Sequence, residues 1–302
     1  MPYATRTIEE EPRRPNDNQL MDAFFKQTKP TCKKIPCTTS IRYDVAKLDG
    51  PKKKILEFNA ELGSLDSQEL IYFETMLKVL GAPQNYHRTE VSPQQVKVLE
   101  KLLQFPLEKA FPCMDLFRVY LLHPSSYEPF AASDAGAPLI QAMLRFISSP
   151  ENPKALLMLT LRGLSNLFVN QSSQHVAHLN RQRIVDAVNP HLTHADRLVR
   201  QAAISMLLNY SVEFLVKDDA EGRVQIMSAL AACLPQETDL QNLLRIAIAL
   251  GNLAHGNAEA ASLLTSMGLQ WPSESQWVSA SGEGDIEANK QTIREIKAML
   301  AA

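Results

Sequence analysis

Leu161-Arg162-Gly163-Leu164-Ser165-Asn166-Leu167 is echoed by Ile204-Ser205-Met206-Leu207-Leu208-Asn209-Tyr210 and again by Ala247-Ile248-Ala249-Leu250-Gly251-Asn252-Leu253. Asn166, Asn209 and Asn252 are each 43 residues apart, and Leu164, Leu207 and Leu250 keep the same interval. One period earlier, Leu121 takes the leucine position and His123 the asparagine position. An interval of this size is the length of one supersecondary unit of two or three helices. Such a unit cannot bury its apolar face alone, and stacking against its neighbours supplies the missing cover.

The period lies within the range of about 40–47 residues typical of armadillo and HEAT repeats. The predicted fold is therefore all-α: an armadillo/HEAT-like helical repeat array, a right-handed superhelix with a concave basic groove. The flanking sequence agrees. Ile55, Phe58 and Leu62 form a helical stripe. Ser67 precedes the apolar series Ile71, Phe73, Met76, Leu77 and Leu80, and Gly81-Ala82-Pro83 stops it. Ser92-Pro93 starts the next helix, and Pro106 opens one that carries Phe111 to Leu121 and ends at His123-Pro124. Further helices are predicted at about 135–148, 153–169, 181–189, 196–214, 221–233, 238–255, 258–267 and 286–301. One stretch alternates as a strand does, Thr39 to Val45. Residues 1–44 are polar, with Glu9-Glu10-Glu11 followed by Arg13-Arg14, and read as a flexible N-terminal tail or linker, relieved only by the apolar piece Leu20 to Phe25. The repeat domain is expected over 45–302.

Composition narrows the function. The 302 residues contain 11 Gly and 18 Pro, too few glycines for phosphate-cradling loops and enough prolines to punctuate many short helices. The formal net charge of −2 offers no global field for nucleic acid. No apolar run reaches membrane-spanning length. The four cysteines, Cys32, Cys37, Cys113 and Cys233, are too scattered for a disulfide framework and read as reduced thiols of a cytoplasmic protein, with the nucleus as the second expected compartment.

The recurring leucine belongs in a core. The recurring asparagine is harder to explain by packing, because an amide carries both donors and an acceptor. A single such residue serves equally well as a helix cap or a bridge between repeats. Three in register favour a ladder that grips an extended peptide backbone. Arg162 lies four residues before Asn166 and Arg245 seven before Asn252, spacings that share a helix face. Arg118 and Arg200 occupy equivalent helices at spacings that do not place them on that face, and for Arg200 pairing with a neighbouring carboxylate is the stronger expectation. The candidate peptide-binding set is Arg118, His123, Arg162, Asn166, Arg200, Asn209, Arg245 and Asn252. Arginine suits carboxylates, so the expected ligand is an acidic peptide.

Four stretches resemble the PUL domain family: Phe111-Pro112-Cys113-Met114-Asp115-Leu116-Phe117-Arg118 with His123-Pro124-Ser125; Leu161-Arg162 through Asn166 to Phe168-Val169-Asn170-Gln171; Leu208-Asn209-Tyr210-Ser211-Val212 with Glu221-Gly222 and Gln225; and Asp239-Leu240 to Arg245 with Ala249-Leu250-Gly251-Asn252-Leu253. Lys52-Lys53-Lys54-Ile55-Leu56-Glu57-Phe58-Asn59 resembles the start of that domain. The resemblance covers about 45–302. It implies a non-enzymatic adaptor of the ubiquitin–proteasome pathway that binds the acidic, aromatic-bearing C-terminal tail of the hexameric AAA ATPase segregase (valosin-containing protein). Ubiquitylated cargo would be met indirectly. It also implies that Arg118 and Arg245 contact the tail. The best-known members of the family carry a propeller and a ubiquitin-binding module upstream, and neither reads in this chain. The other readings are a generic armadillo-like scaffold with another partner, or the C-terminal part of a thioredoxin or desumoylating-peptidase fusion.

No catalytic motif competes. His175-x-x-His178 and His191-x-x-His194 have zinc-like spacing, but no cysteine lies near them in sequence, and both pairs are expected at loop-to-helix junctions. Neither a cofactor nor a metal is expected.

Overall fold

The computed structural model describes residues 32–45, 47–126, 137–279 and 285–301. The apolar piece Leu20–Phe25 lies outside them. The described residues are all-α, with a single isolated bridge between Asp239 and Val278. The helices are α1 Asp49–Leu62, α2 Ser67–Leu80, α3 Pro93–Leu102, α4 Phe111–Tyr120, α5 Ala137–Ser148, α6 Lys154–Asn166, α7 Gln171–Leu179, α8 Arg181–Val188, α9 Arg197–Glu213, α10 Ala220–Cys233, α11 Leu240–Ala254, α12 Ala258–Met267 and α13 Ile286–Ala301.

Local chemistry sets the helix starts. Asp66 and Ser92 form capping boxes with Glu69 and Gln95. Asp196, Asp219, Asp239 and Asn257 each accept backbone N–H bonds at the N-termini of α9, α10, α11 and α12. The helix predicted to open at Pro106 begins instead with a 3-10 turn, Leu107–Lys109, and α4 starts at Phe111. Helix α7 is an addition to the sequence reading. Its residues are mostly polar and only Ser173, Val176 and Ala177 are buried, so it carries no apolar stripe to reveal it. His175 and His178 therefore lie within a helix rather than at its junction with a loop.

The long repeat helices form a row. Helix α4 packs on α6, α6 on α9, α9 on α11 and α11 on α13. The recurrent Leu164, Leu207 and Leu250 are fully buried between them. Helix α1 closes one end of the row by packing on α4. This placement governs what happens to the segment before it.

Candidate functional site

The asparagine ladder is occupied. Residues 37–45 lie across the row as a strap, starting at α11 and ending at α4, where the chain turns into α1. The sequence places residues 1–44 in a flexible tail or linker and Thr39 to Val45 as the one stretch that alternates as a strand.

Each ladder amide grips one strap residue twice. The Cys37 N–H donates to Asn252 Oδ1 at 2.8 Å and Asn252 Nδ2 returns a bond to the Cys37 carbonyl at 2.9 Å. Ile41 and Asn209 make the same exchange at 2.7 and 2.8 Å. Tyr43 and Asn166 make it at 2.8 and 3.1 Å. In extended backbone the N–H and C=O of one residue point the same way, so a side-chain amide can pair with both as a neighbouring strand would. The alternating stretch Thr39–Val45 thus has side-chain amides as its partners in place of a second strand.

The register follows from two lengths. Packed helices sit about 8–10 Å apart, which is about three extended residues at 3.3 Å each. Only every second residue faces the ladder, so the contacts fall four and then two residues apart, at 37, 41 and 43. Three helix spacings span about 24–30 Å, the reach of the eight steps from Cys37 to Val45 when the chain is fully extended.

The second amide proton of each asparagine serves the array itself. Asn209 donates to the Ser165 carbonyl on α6 at 3.0 Å, Asn166 to the Arg118 carbonyl on α4 at 2.8 Å, and Asn252 to Ser211 Oγ at 3.4 Å. The two roles open to these residues in the sequence, bridging repeats and holding an extended backbone, are performed by one side chain.

Arg118 clamps the end of the strap. Its Nη1 and Nη2 donate to the carbonyls of Tyr43 and Val45 at 2.8 and 2.9 Å, and its Nε to Asp115 at 2.6 Å. Arg162 is different. Its guanidinium carbon lies over the Tyr43 ring, 5.0 Å from the centroid, and its buried Nε has no hydrogen-bond partner among the described residues. Burial holds Arg162 below the ordinary arginine range, and the neighbouring Arg118 charge acts in the same direction against the opposing influence of Tyr43 and Asp115. Two guanidinium groups therefore share Asp115 as a nearby carboxylate. Ser205, four residues before Asn209 as Arg162 is before Asn166, accepts the Tyr43 hydroxyl at 3.1 Å. Tyr43, Ser205 and Asp115 are absent from the sequence-derived set, although the 43-residue offset from Arg162 falls on Ser205.

Arg245 is half-buried on α11, two turns before Asn252. His123 and Arg200 are not brought to the ladder. Helix α4 ends at Tyr120, so His123 falls in the following turn, fully buried. Its Nδ1 accepts the Ser125 N–H at 3.1 Å, its Nε2 lies 3.2 Å from Thr89 Oγ1, and its ring packs on Tyr86. Arg200 precedes Asn209 by nine residues, half a turn out of phase at 100° per residue. It pairs with Glu237 at 2.9 and 3.1 Å and donates to the carbonyls of His194 and Ala195. Burial pushes the Cys113 thiol far up and the Cys233 thiol up to about 12, which keeps both from forming the reactive thiolate.

Gly251 lets the strap approach α11. A Cβ there would lie 2.7 Å from Ile35 Cδ1. Cys32, at the near end of the described segment, is buried against the core.

Fold and site together define a helical-repeat module whose row of amides reads extended backbone. Residues 35–294 match the PUL domain, and the chain belongs to that family of protein-interaction domains. It is 25% identical over 248 residues to phospholipase A-2-activating protein of Xenopus laevis, covering 82% of this chain and 30% of that relative's length. A crystal structure of a PUL and PFU domain superposes with a TM-score of 0.56 at 16% identity, covering 94% of this chain and 83% of the other.

Proposed function

We propose that the chain is a non-enzymatic adaptor of the ubiquitin–proteasome pathway that binds the acidic C-terminal tail of the hexameric AAA ATPase segregase (valosin-containing protein) on its ladder face. The observation that carries this reading is the Arg118–Arg162 pair beside Asp115, with the Arg162 Nε buried and unbonded among the described residues. A buried guanidinium nitrogen without a hydrogen-bond partner is costly, and a carboxylate at the edge of that guanidinium satisfies charge and geometry together. Arg245, seven residues before Asn252 on α11, is read as the next cation along that face from its helical phase. The strap is one wall of the site and Arg118 holds that wall in place.

Titration of a fluorescent tail peptide into the full chain at low salt tests the proposal. Saturable binding that weakens with salt is expected. Absence of saturable binding would sink it.

A further inference from the structure

The strap has a second edge. Cys37, Ile41 and Tyr43 turn their backbone groups to the ladder, which directs those of Thr38, Ser40, Arg42 and Asp44 the opposite way. Among the described residues, none of these four uses its backbone N–H or C=O in a hydrogen bond. Their side chains are exposed apart from the half-buried Ser40. Proline at 36 ends the row of donors on one side. This is an unpaired strand edge, short and charged as natural edges are.

We infer that this outer edge is a docking strand: an extended acidic peptide adds to it by backbone pairing, as a further strand laid over the strap. The inference rests on the proposed function and specifies how the tail is held. Charge and shape select the occupant. Side chains of a paired strand alternate between two sides. On one side stand Tyr43 and Arg162, where carboxylates are favoured. On the other, next to Arg42 and Asp44, opens a cleft of about 400 Å³ floored by Leu80, Pro83, Tyr86, Val119, Leu122 and Val169, which suits an apolar side chain. The matching peptide carries acidic and apolar residues on opposite parities.

The test uses the full chain and the segregase tail peptide, prepared with backbone N-methyl groups on odd or on even residues. Pairing predicts that one set weakens binding by about tenfold or more while the other leaves it within about twofold, because only one parity faces the strap. Ser40→Pro removes an outward N–H without touching those used by the ladder, and it should weaken the unmethylated peptide by a similar factor with helicity unchanged by circular dichroism. Hydrogen exchange should slow at Thr38, Ser40, Arg42 and Asp44 on peptide addition, with Cys37, Ile41 and Tyr43 unchanged. Equal loss from both methylated sets, or no loss from either, overturns backbone pairing and leaves tail binding standing. Faster exchange at Ile41 and Tyr43 means that the peptide displaces the strap, and also overturns it. If the unmodified peptide does not bind the wild-type chain, the functional reading itself falls.

Discussion

Asn166 and Tyr43, 123 residues apart in the chain, exchange two hydrogen bonds as a pair of facing strand residues does. The same amide bonds the Arg118 carbonyl on α4, so one side chain joins two helices and the strap. Loss of such a residue is felt at three places.

Asn209→Ala removes the two bonds to Ile41 and the bridge to Ser165 from a fully buried position. A loss of about 1–3 kcal/mol is expected by chemical denaturation. Asn209→Asp should be worse, since a carboxylate oxygen would then face the Ile41 and Ser165 carbonyls. Equal stability of the alanine and aspartate variants would contradict the bonding described.

Gly251→Val places side-chain atoms where Ile35 sits. The strap entry should loosen while the helix row stays folded. Trypsin cleavage at the exposed Lys33 and Lys34 should accelerate several-fold, with little change in the denaturation midpoint. Unchanged cleavage would show that this contact does not hold the segment.

Arg162→Ala and Arg200→Ala should part company. The first should weaken tail-peptide binding and flatten its salt dependence, with a small effect on stability. The second leaves the buried Glu237 carboxylate without its paired guanidinium, at a cost of about 3 kcal/mol, and should leave peptide affinity unaltered in the folded protein. Arg162→Lys keeps the charge over Tyr43 but loses the forked donors of the guanidinium, so partial binding is expected.

Acid should destabilise the fold through two histidines. Burial holds the His123 and His191 imidazoles below their ordinary 6.5. The unfolded chain takes up protons near that value while the folded chain resists. Their contribution is therefore full above pH 6.5 and is lost as the pH falls toward the folded values. The His123 Nδ1 already accepts the Ser125 N–H, so protonation there would set two donors against each other. Midpoints measured from pH 7.5 to 5 should fall, and His123→Gln should give a shallower decline than wild type. A parallel decline would assign the acid sensitivity elsewhere.

Much of the architecture was legible from particular residues. Leu164, Leu207 and Leu250 mark the buried seam, and the predicted helices from 181–189 onward match the observed ones within two residues at either end. Helix α7 was not legible because Gln171-Ser172-Ser173-Gln174-His175 offers no apolar face. His123 was misplaced by its period: the interval of 43 holds, but α4 ends three residues short of it. The asparagines were legible as backbone-gripping groups, but the backbone that they grip belongs to the same chain.

What the sequence alone determined is the repeating helical unit, its core and the amide ladder, because periodicity and amide chemistry are local and recur at a constant interval. What only the tertiary structure decided is the occupant of the ladder and the separation of the arginines into clamp, charged wall and structural pair. Strap contacts span up to 215 residues of sequence. They exist because α1 packs on α4, which lays the preceding residues back across α6, α9 and α11 and leaves their outer edge unpaired.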